Sequence, residues 1–238
     1  MQIFGTKKTV NKYNSEVNFW KGILVEYEKW YNGEIKLFKE NPPRNKQKVK
    51  GDLPNHSAIL TWNKVHQERK YLNDLMLKSG VFKGKKILDI GSGPHPSGVC
   101  FKGANLYCLD PLLPTYLEIG FPIYYYPKVK FIYGHSEQIP FPNNFFDVVI
   151  SVNAIDHVDD FKKTSREIRR VLKKGGKIRM HIHYHKKTAT EPIELNDKVV
   201  SSVYSWCKNF RKISESSSKT GFDLEDNGEK YTLWSNFK

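Results

Sequence analysis

The chain predicts an α/β protein: a mostly parallel sheet with helices on both faces, a C-terminal antiparallel hairpin strand, and an N-terminal helical extension. Two stretches carry this. Residues 85–98, KKILDIGSGPHPSG, run from a short apolar segment into an acid and then a glycine loop. Ile87, Leu88 and Ile90 fit a buried strand, while Gly91 and Gly93 let the backbone turn sharply and approach a ligand closely. Residues 105–110, NLYCLD, are a second apolar run ending in an acid, only a short segment (99–104) further on. Strand, glycine loop, short helix and strand make a βαβ unit, whose crossover is right-handed.

The remaining elements follow in order. Residues 15–40 place Val17, Trp20, Ile23, Leu24, Tyr27, Trp30 and Tyr31 at helical spacing, with Ser15 as a candidate N-cap. Those aromatics serve either as packing onto the main domain or as a stacking platform for a sugar or base. Residues 41–56 are polar, basic and punctuated by proline, the composition of a linker or mobile loop. A second helix spans about 57–79, with Leu60, Trp62, Val65, Leu72, Leu75 and Met76 on one face and Ser57 as its cap. After a Pro/Tyr-rich excursion at 111–128, VKFIYG reads as the third strand and residues 147–152 as the fourth. The run DFKKTSREIRRVLKKGG has helix-period positions Phe161, Ile168, Val171 and Leu172 and is expected to end on Gly175 and Gly176. KIRMHIHYH is the fifth strand, residues 192–206 suggest another helix, and NFRKISES and KYTLWSNF form a hairpin joined by a Ser/Gly/Asp-rich connection.

Composition bounds the function. At 238 residues the chain holds one full α/β domain plus an extension. The expected division is an extension and basic linker at 1–56 and the main domain at 57–238. Lys+Arg of 39 against Asp+Glu of 25 gives a net charge of +14, which favours phosphates, nucleic acid or an anionic surface. The excess is lysine rather than arginine, however, and nucleic-acid readers lean on arginine for bidentate contacts. Cys100, Cys108 and Cys207 are an odd number without a CxxC pair, so neither a disulfide framework nor a cysteine zinc site is indicated. The first 14 residues lack a signal peptide's apolar core, and no apolar run approaches the roughly 20 residues of a membrane helix. A cytoplasmic protein is expected.

The succession LDIGSGP, CLDP, IPFPNNFFDVVIS, HVDD and REIRRVLKKGGKIRM resembles the Rossmann-like, class I S-adenosylmethionine-dependent methyltransferases over roughly residues 57–238. The resemblance implies S-adenosyl-L-methionine as cofactor, with Gly91, Ser92 and Gly93 against its amino-acid portion and Asp89 nearby. Asp110, 21 positions after Asp89 and followed by Pro111, would accept from both ribose hydroxyls. Two departures stand out. Pro94-His95-Pro96 replaces the third glycine of many relatives, and His135 stands where relatives carry the acid that binds the adenine amino group. A neutral His nitrogen can accept that bond, or Ser136 and Glu137 can substitute. Asn153, at the end of the fourth strand, completes the cofactor set.

The acceptor is expected beyond the ends of the fourth and fifth strands. His181, His183 and His185 alternate along the fifth strand and so share one face, and Asp156 and His157 come from the end of its neighbour. Asp156, His157, His181 and His183 are the candidate catalytic groups, since transfer to a hydroxyl needs a base and imidazole titrates near neutrality. A metal on the HxHxH strand is the competing use; no metal is assigned, because no fourth ligand can be placed from sequence. The expected function is O-methylation of a sugar, glycan precursor or other small molecule, with a phosphate-bearing carrier suiting the positive charge. The alternatives are an RNA methyltransferase tracking phosphates with the 41–50 loop, and a cofactor-binding but inactive scaffold partner.

Overall fold

A computed structural model describes residues 7–49, 54–188, 193–217 and 230–237. Seven strands form one sheet in the order β3-β2-β1-β4-β5-β7-β6. They are β1 (Lys86–Ile90), β2 (Asn105–Asp110), β3 (Lys130–Tyr133), β4 (Phe146–Val152), β5 (Leu172–Tyr184), β6 (Arg211–Ser216) and β7 (Lys230–Ser235). The first five pair in parallel, and β7 runs antiparallel to both β5 and β6. This is the Rossmann-like sheet with its antiparallel C-terminal hairpin. The connection of that hairpin falls largely outside the described residues, as do the first residues of the N-terminus, part of the 41–56 stretch and the start of the 192–206 stretch.

The central strands are mostly apolar because both faces are covered. On one face Leu88, Val149 and Ile178 pack with Phe161 and Ile168 of α5 (Phe161–Val171) and Val200 of α6 (Asp197–Val203). On the other, Ile87, Val148 and Ile150 pack with Tyr71 and Leu75. Tyr71 belongs to one helical run: α2 (Pro54–Trp62), a π turn (Asn63–Gln67) and α3 (Glu68–Asp74).

The N-terminal helix, α1 (Lys7–Asn32), shares a core with this domain. Its Ile23, Leu24, Tyr27 and Trp30 pack with Ile59 and Trp62 of α2 and with Leu112, Tyr116 and Phe121 around α4 (Leu113–Glu118). Trp30 is fully buried and meets the Trp62 ring edge-on, centroids 4.9 Å apart. Each such large side chain contributes about 1.5–3 kcal/mol on burial, so the aromatic stripe of α1 is first of all a packing surface.

Three local expectations are corrected. Ser15 lies inside α1 rather than capping it. Ser57 lies inside α2, where its Oγ accepts from the Val49 N–H at 3.2 Å. The helix expected to end on Gly175 and Gly176 stops at Val171, and both glycines lie within β5. A glycine cap is unnecessary there: the N–H groups of Asn144 and Phe145 bond the Arg170 and Val171 carbonyls at 2.9 and 2.8 Å, satisfying the helix end from another part of the chain. Among the described residues no helix is long and apolar enough to cross a membrane.

Candidate active site

The strand order reverses at β1, whose neighbours β2 and β4 lie on opposite sides. A crevice therefore opens beyond the strands' carboxyl ends. A cavity of about 270 Å³ occupies it. Its floor is the glycine loop after β1. Gly91 has φ +66°, and a Cβ there would overlap Cβ of Ala154, so the β1 loop packs directly against the Ala154 side chain of the β4 loop. Only glycine combines that conformation with that approach.

Asp110, at the end of β2, is 5% exposed and lines the cavity. Its Oδ2 accepts from the Gly93 N–H at 2.9 Å and its Oδ1 from the Leu112 N–H at 2.8 Å. These bonds fix the carboxylate plane and leave each oxygen a further lone pair. Burial pushes Asp110 up to about 6, even though the two N–H bonds pull the other way. Donors arriving from a ligand would bring it back down.

Ser92, Gly93, Pro111, His135, Ser136 and Asn153 also line the cavity. Asp89 does not. It is fully buried beneath the loop, where Tyr71 donates to its Oδ1 at 2.6 Å. Burial pushes it up to about 7; the Tyr71 bond lowers it and the Asp110 charge adds to the rise. Its geometry supports the loop rather than meeting a ligand directly.

The helices supply lining that the sequence reading had not assigned. Tyr13, Glu16 and Trp20 of α1 close one side, and Gln67, Lys70 and Tyr71 another. The π turn ends on Gln67, just before Lys70 and Tyr71, and such turns commonly mark functional sites. Lys70 is paired with the buried Asp74. His95 is 3% exposed; its Nε2 accepts from Tyr27 Oη at 2.8 Å, and the rings of Trp20, Tyr27 and Phe121 meet it edge-on. Burial holds it at about 3, so it is neutral and available as an acceptor. The stiff Pro-His-Pro tail is thus the dock for α1.

On the acceptor side the predicted groups separate. His157 lines the cavity, with its Nε2 3.5 Å from Oδ2 of Asp156. Asp156 is wholly buried behind it, and Nε2 of His185 lies 3.5 Å from the same oxygen. Burial opposes ionisation of Asp156, but attraction to His157 and His185 outweighs it and holds the carboxyl below its ordinary value. His181 is turned elsewhere: its Nδ1–H donates to Oδ1 of Asn153 at 2.7 Å, and its ring stacks on Tyr231. Burial lowers it to about 4. His183 is half-buried and lies flat against Tyr231, with ring centroids 4.6 Å apart. Neither His181 nor His183 lines the cavity; of the four expected groups only His157 does, with Asp156 behind it and the histidines of β5 outside the lining.

Residues 88–180 match the family described as a methyltransferase domain. Residues 88–180, less than half of the chain, are thus similar to a methyltransferase domain. It is 35% identical over 111 residues to the sterol 24-C-methyltransferase of Pneumocystis carinii (strain B80), covering 43% of this chain and 29% of that one. It is 32% identical over 117 residues to the demethylmenaquinone methyltransferase of Geobacillus sp. (strain WCH70), covering 46% and 50%. The chain thus spans half or less of the length of these curated relatives. The YcgJ protein of Bacillus subtilis has the same fold, with a TM-score of 0.53, 17% identity and coverage of 71% of this chain and 98% of that one. An arsenic(III) S-adenosylmethionine methyltransferase from Chlamydomonas reinhardtii likewise superposes, with a TM-score of 0.52, 18% identity and coverage of 67% and 65%.

The residues of the cavity fit S-adenosylmethionine. Asp110 holds unused lone pairs toward the cavity for a vicinal diol, and the glycine loop presents bare backbone to an amino-acid group. The acids Glu16, Asp110, Glu137 and Asp159 against the single Lys70 make the lining electronegative, which suits a sulfonium cation. The overall positive charge of the chain is therefore not expressed in its cavity.

Proposed function

We propose that the protein O-methylates a hydroxyl of a small acceptor, a sugar or glycan precursor, with His157 as general base and Asp156 as its positioning partner. The observation that carries this is His157 on the cavity wall, backed at 3.5 Å by a wholly buried carboxylate. S-adenosylmethionine supplies an electrophilic methyl group for in-line transfer. The chain's own residues do the rest. Asp156 faces Nε2 of His157, which favours the proton on that nitrogen and leaves Nδ1 to accept the hydroxyl proton as the oxygen attacks. The buried ionised partner stabilises the imidazolium that results.

Tyr13 and Trp20 flank the cavity with faces able to cover a sugar ring. The acid-rich lining disfavours a phosphate at the reacting end, so the acceptor's own reacting portion is neutral. The curated relatives named above include one that acts on carbon, so their names do not select the acceptor atom.

The test is incubation of cell-extract metabolites and glycans with methyl-labelled cofactor, followed by mass spectrometry. Label in an O-methyl group of a small polyol or sugar is expected. His157→Ala should lower turnover on the order of 10²-fold or more while leaving cofactor affinity within about 2-fold. Label on carbon or nitrogen, or undiminished turnover in His157→Ala, rejects this assignment.

A further inference from the structure

Behind His157 lies a second cluster that methyl transfer through His157 does not use. One ligand-capable atom each from Asp156, His183 and His185 lies within 4.8 Å of the other two. The register of the sheet makes this possible. Val152 of β4 pairs with His181 of β5, so the chain leaving β4 passes beside the continuation of β5, and the period of two returns His183 and His185 to one face. Their rings are 4.8 Å apart, centroid to centroid.

A buried carboxylate without compensation is costly. Asp156 is wholly buried; His157 and His185 attract its carboxylate from 3.5 Å, but neither of its oxygens has a hydrogen bond of ordinary geometry among the described residues, so the compensation is partial. A cation between the three side chains would remove that cost. Imidazole and carboxylate ligands of such an ion sit roughly 2.0–2.2 Å from it, which puts neighbouring ligand atoms about 3.3 Å apart in a tetrahedron. The Asp156–His185 distance of 3.5 Å already meets this. The half-buried His183 lies within 4.8 Å of the other two ligand atoms, so completing the set takes a shift of up to roughly 1.5 Å, within the reach of a side-chain rotation.

We propose that Asp156, His183 and His185 bind one divalent first-row transition-metal ion, of the zinc class, at the junction of the β4 and β5 ends. Two imidazoles and one carboxylate select such an ion over magnesium or calcium, which prefer all-oxygen shells. Three protein ligands leave a fourth position for water or an acceptor oxygen. Nε2 of His157 and Nε2 of His185 lie 3.5 Å from the same Asp156 oxygen, Oδ2, so the ion and His157 meet one carboxylate from two sides. The site adds a cation beside the acceptor region and does not depend on which group takes the acceptor proton.

The experiment uses the full chain, stripped with chelator and titrated by calorimetry with zinc chloride, in parallel with magnesium chloride. Cobalt(II) substitution is followed by visible absorption. One equivalent of zinc and a cobalt spectrum of a tetrahedral nitrogen/oxygen site are expected, with no saturable magnesium binding. His183→Ala, at a half-buried position, and His185→Ala should each weaken zinc roughly 100-fold or more, since loss even of a residue supporting a ligand costs 10–100-fold. His56→Ala, outside both the cluster and the cavity lining, should bind zinc as the unaltered chain does. S-adenosylmethionine titration of each variant checks that the fold persists. Zinc binding unchanged in both ligand variants, saturable magnesium binding of equal strength, or no stoichiometric zinc in a chain that still binds S-adenosylmethionine overturns the proposal. Failure of the O-methylation assignment would show separately, in the product analysis.

Discussion

Lowering the pH from about 7.5 to about 5 should weaken S-adenosylmethionine binding about 10-fold, because the ribose hydroxyls need Asp110 as a carboxylate. Burial raises Asp110 to about 6 in the cofactor-free protein. Two donated hydroxyl protons favour the charged form, so the bound state holds the group ionised to lower pH. Affinity then falls by the factor 1 + 10^(6 − pH), which is about 11 at pH 5 and close to 1 at pH 7.5. The sign is fixed: the cofactor-free protein carries a proton that the complex must release, so binding weakens as pH falls through about 6. The charged groups that act on Asp110 are Glu16 of α1, which raises it, and His157, which lowers it; the Gly93 and Leu112 N–H groups also lower it. Asp89 lies beneath the same loop. Calorimetry at constant ionic strength, in buffers of differing ionisation enthalpy, reads both the affinity and the proton released. Asp110→Asn should lose about 1–3 kcal/mol of binding and, with it, the slope between pH 5 and 7.5. Equal affinity at the two pH values, or the same slope in Asp110→Asn, would refute the assignment.

Two further outcomes are expected. Asp89 is raised to about 7 by burial, with Tyr71, Cys100, Cys108 and Asp110 around it. The folded state therefore holds a proton that the unfolded chain releases near pH 4, and stability falls as pH rises from about 4 to 7, by up to about 1.4 kcal/mol per pH unit. Asp89→Asn should flatten that fall, making the variant relatively more stable at pH 8 than at pH 5 in urea titrations; a greater relative loss at pH 8 would contradict it. Gly91→Ala places a Cβ on a left-handed backbone against Ala154, and should cost at least about 1–2 kcal/mol in urea unfolding and abolish calorimetric cofactor binding. A variant that keeps both would show that the β1 and β4 loops are not held in contact.

What the sequence made legible was whatever depends on local pattern. The β1 and β2 strands, Gly91, Gly93 and Asp110 were readable because doubly covered strands are continuously apolar and a glycine loop has few other uses. The end of α5 was misread because its cap comes from Asn144 and Phe145, some 26 residues upstream, and no nearby residue announces it. The π turn at Asn63–Gln67 was invisible for a similar reason, its register being set by packing rather than composition. On the acceptor side the shared face of His181, His183 and His185 followed from the period of two. Which of them meets Asp156 depended on how far β5 extends past β4, and that register is a property of the sheet. His181 was expected to act in catalysis, yet Asn153, one turn of chain away from Asp156, takes its Nδ1–H instead.

The N-terminal helix shows how a non-local contact changes the meaning of a motif. In the sequence, the aromatic stripe of residues 15–40 and the Pro-His-Pro tail of the glycine loop are separate oddities. In the fold they are one joint. His95 accepts from Tyr27 and meets Trp20, while Trp20 also lines the cavity. A buried hydrogen bond contributes about 0.5–1.5 kcal/mol, and edge-on ring pairs about 0.5–1.5 kcal/mol each. Together they are enough to keep α1 seated on the loop without a ligand. A third glycine in place of Pro94-His95-Pro96 would free the loop but remove the helix's anchor. The departure from the usual glycine pattern thus has a structural cause: this loop holds the wall of its own cavity as well as its floor.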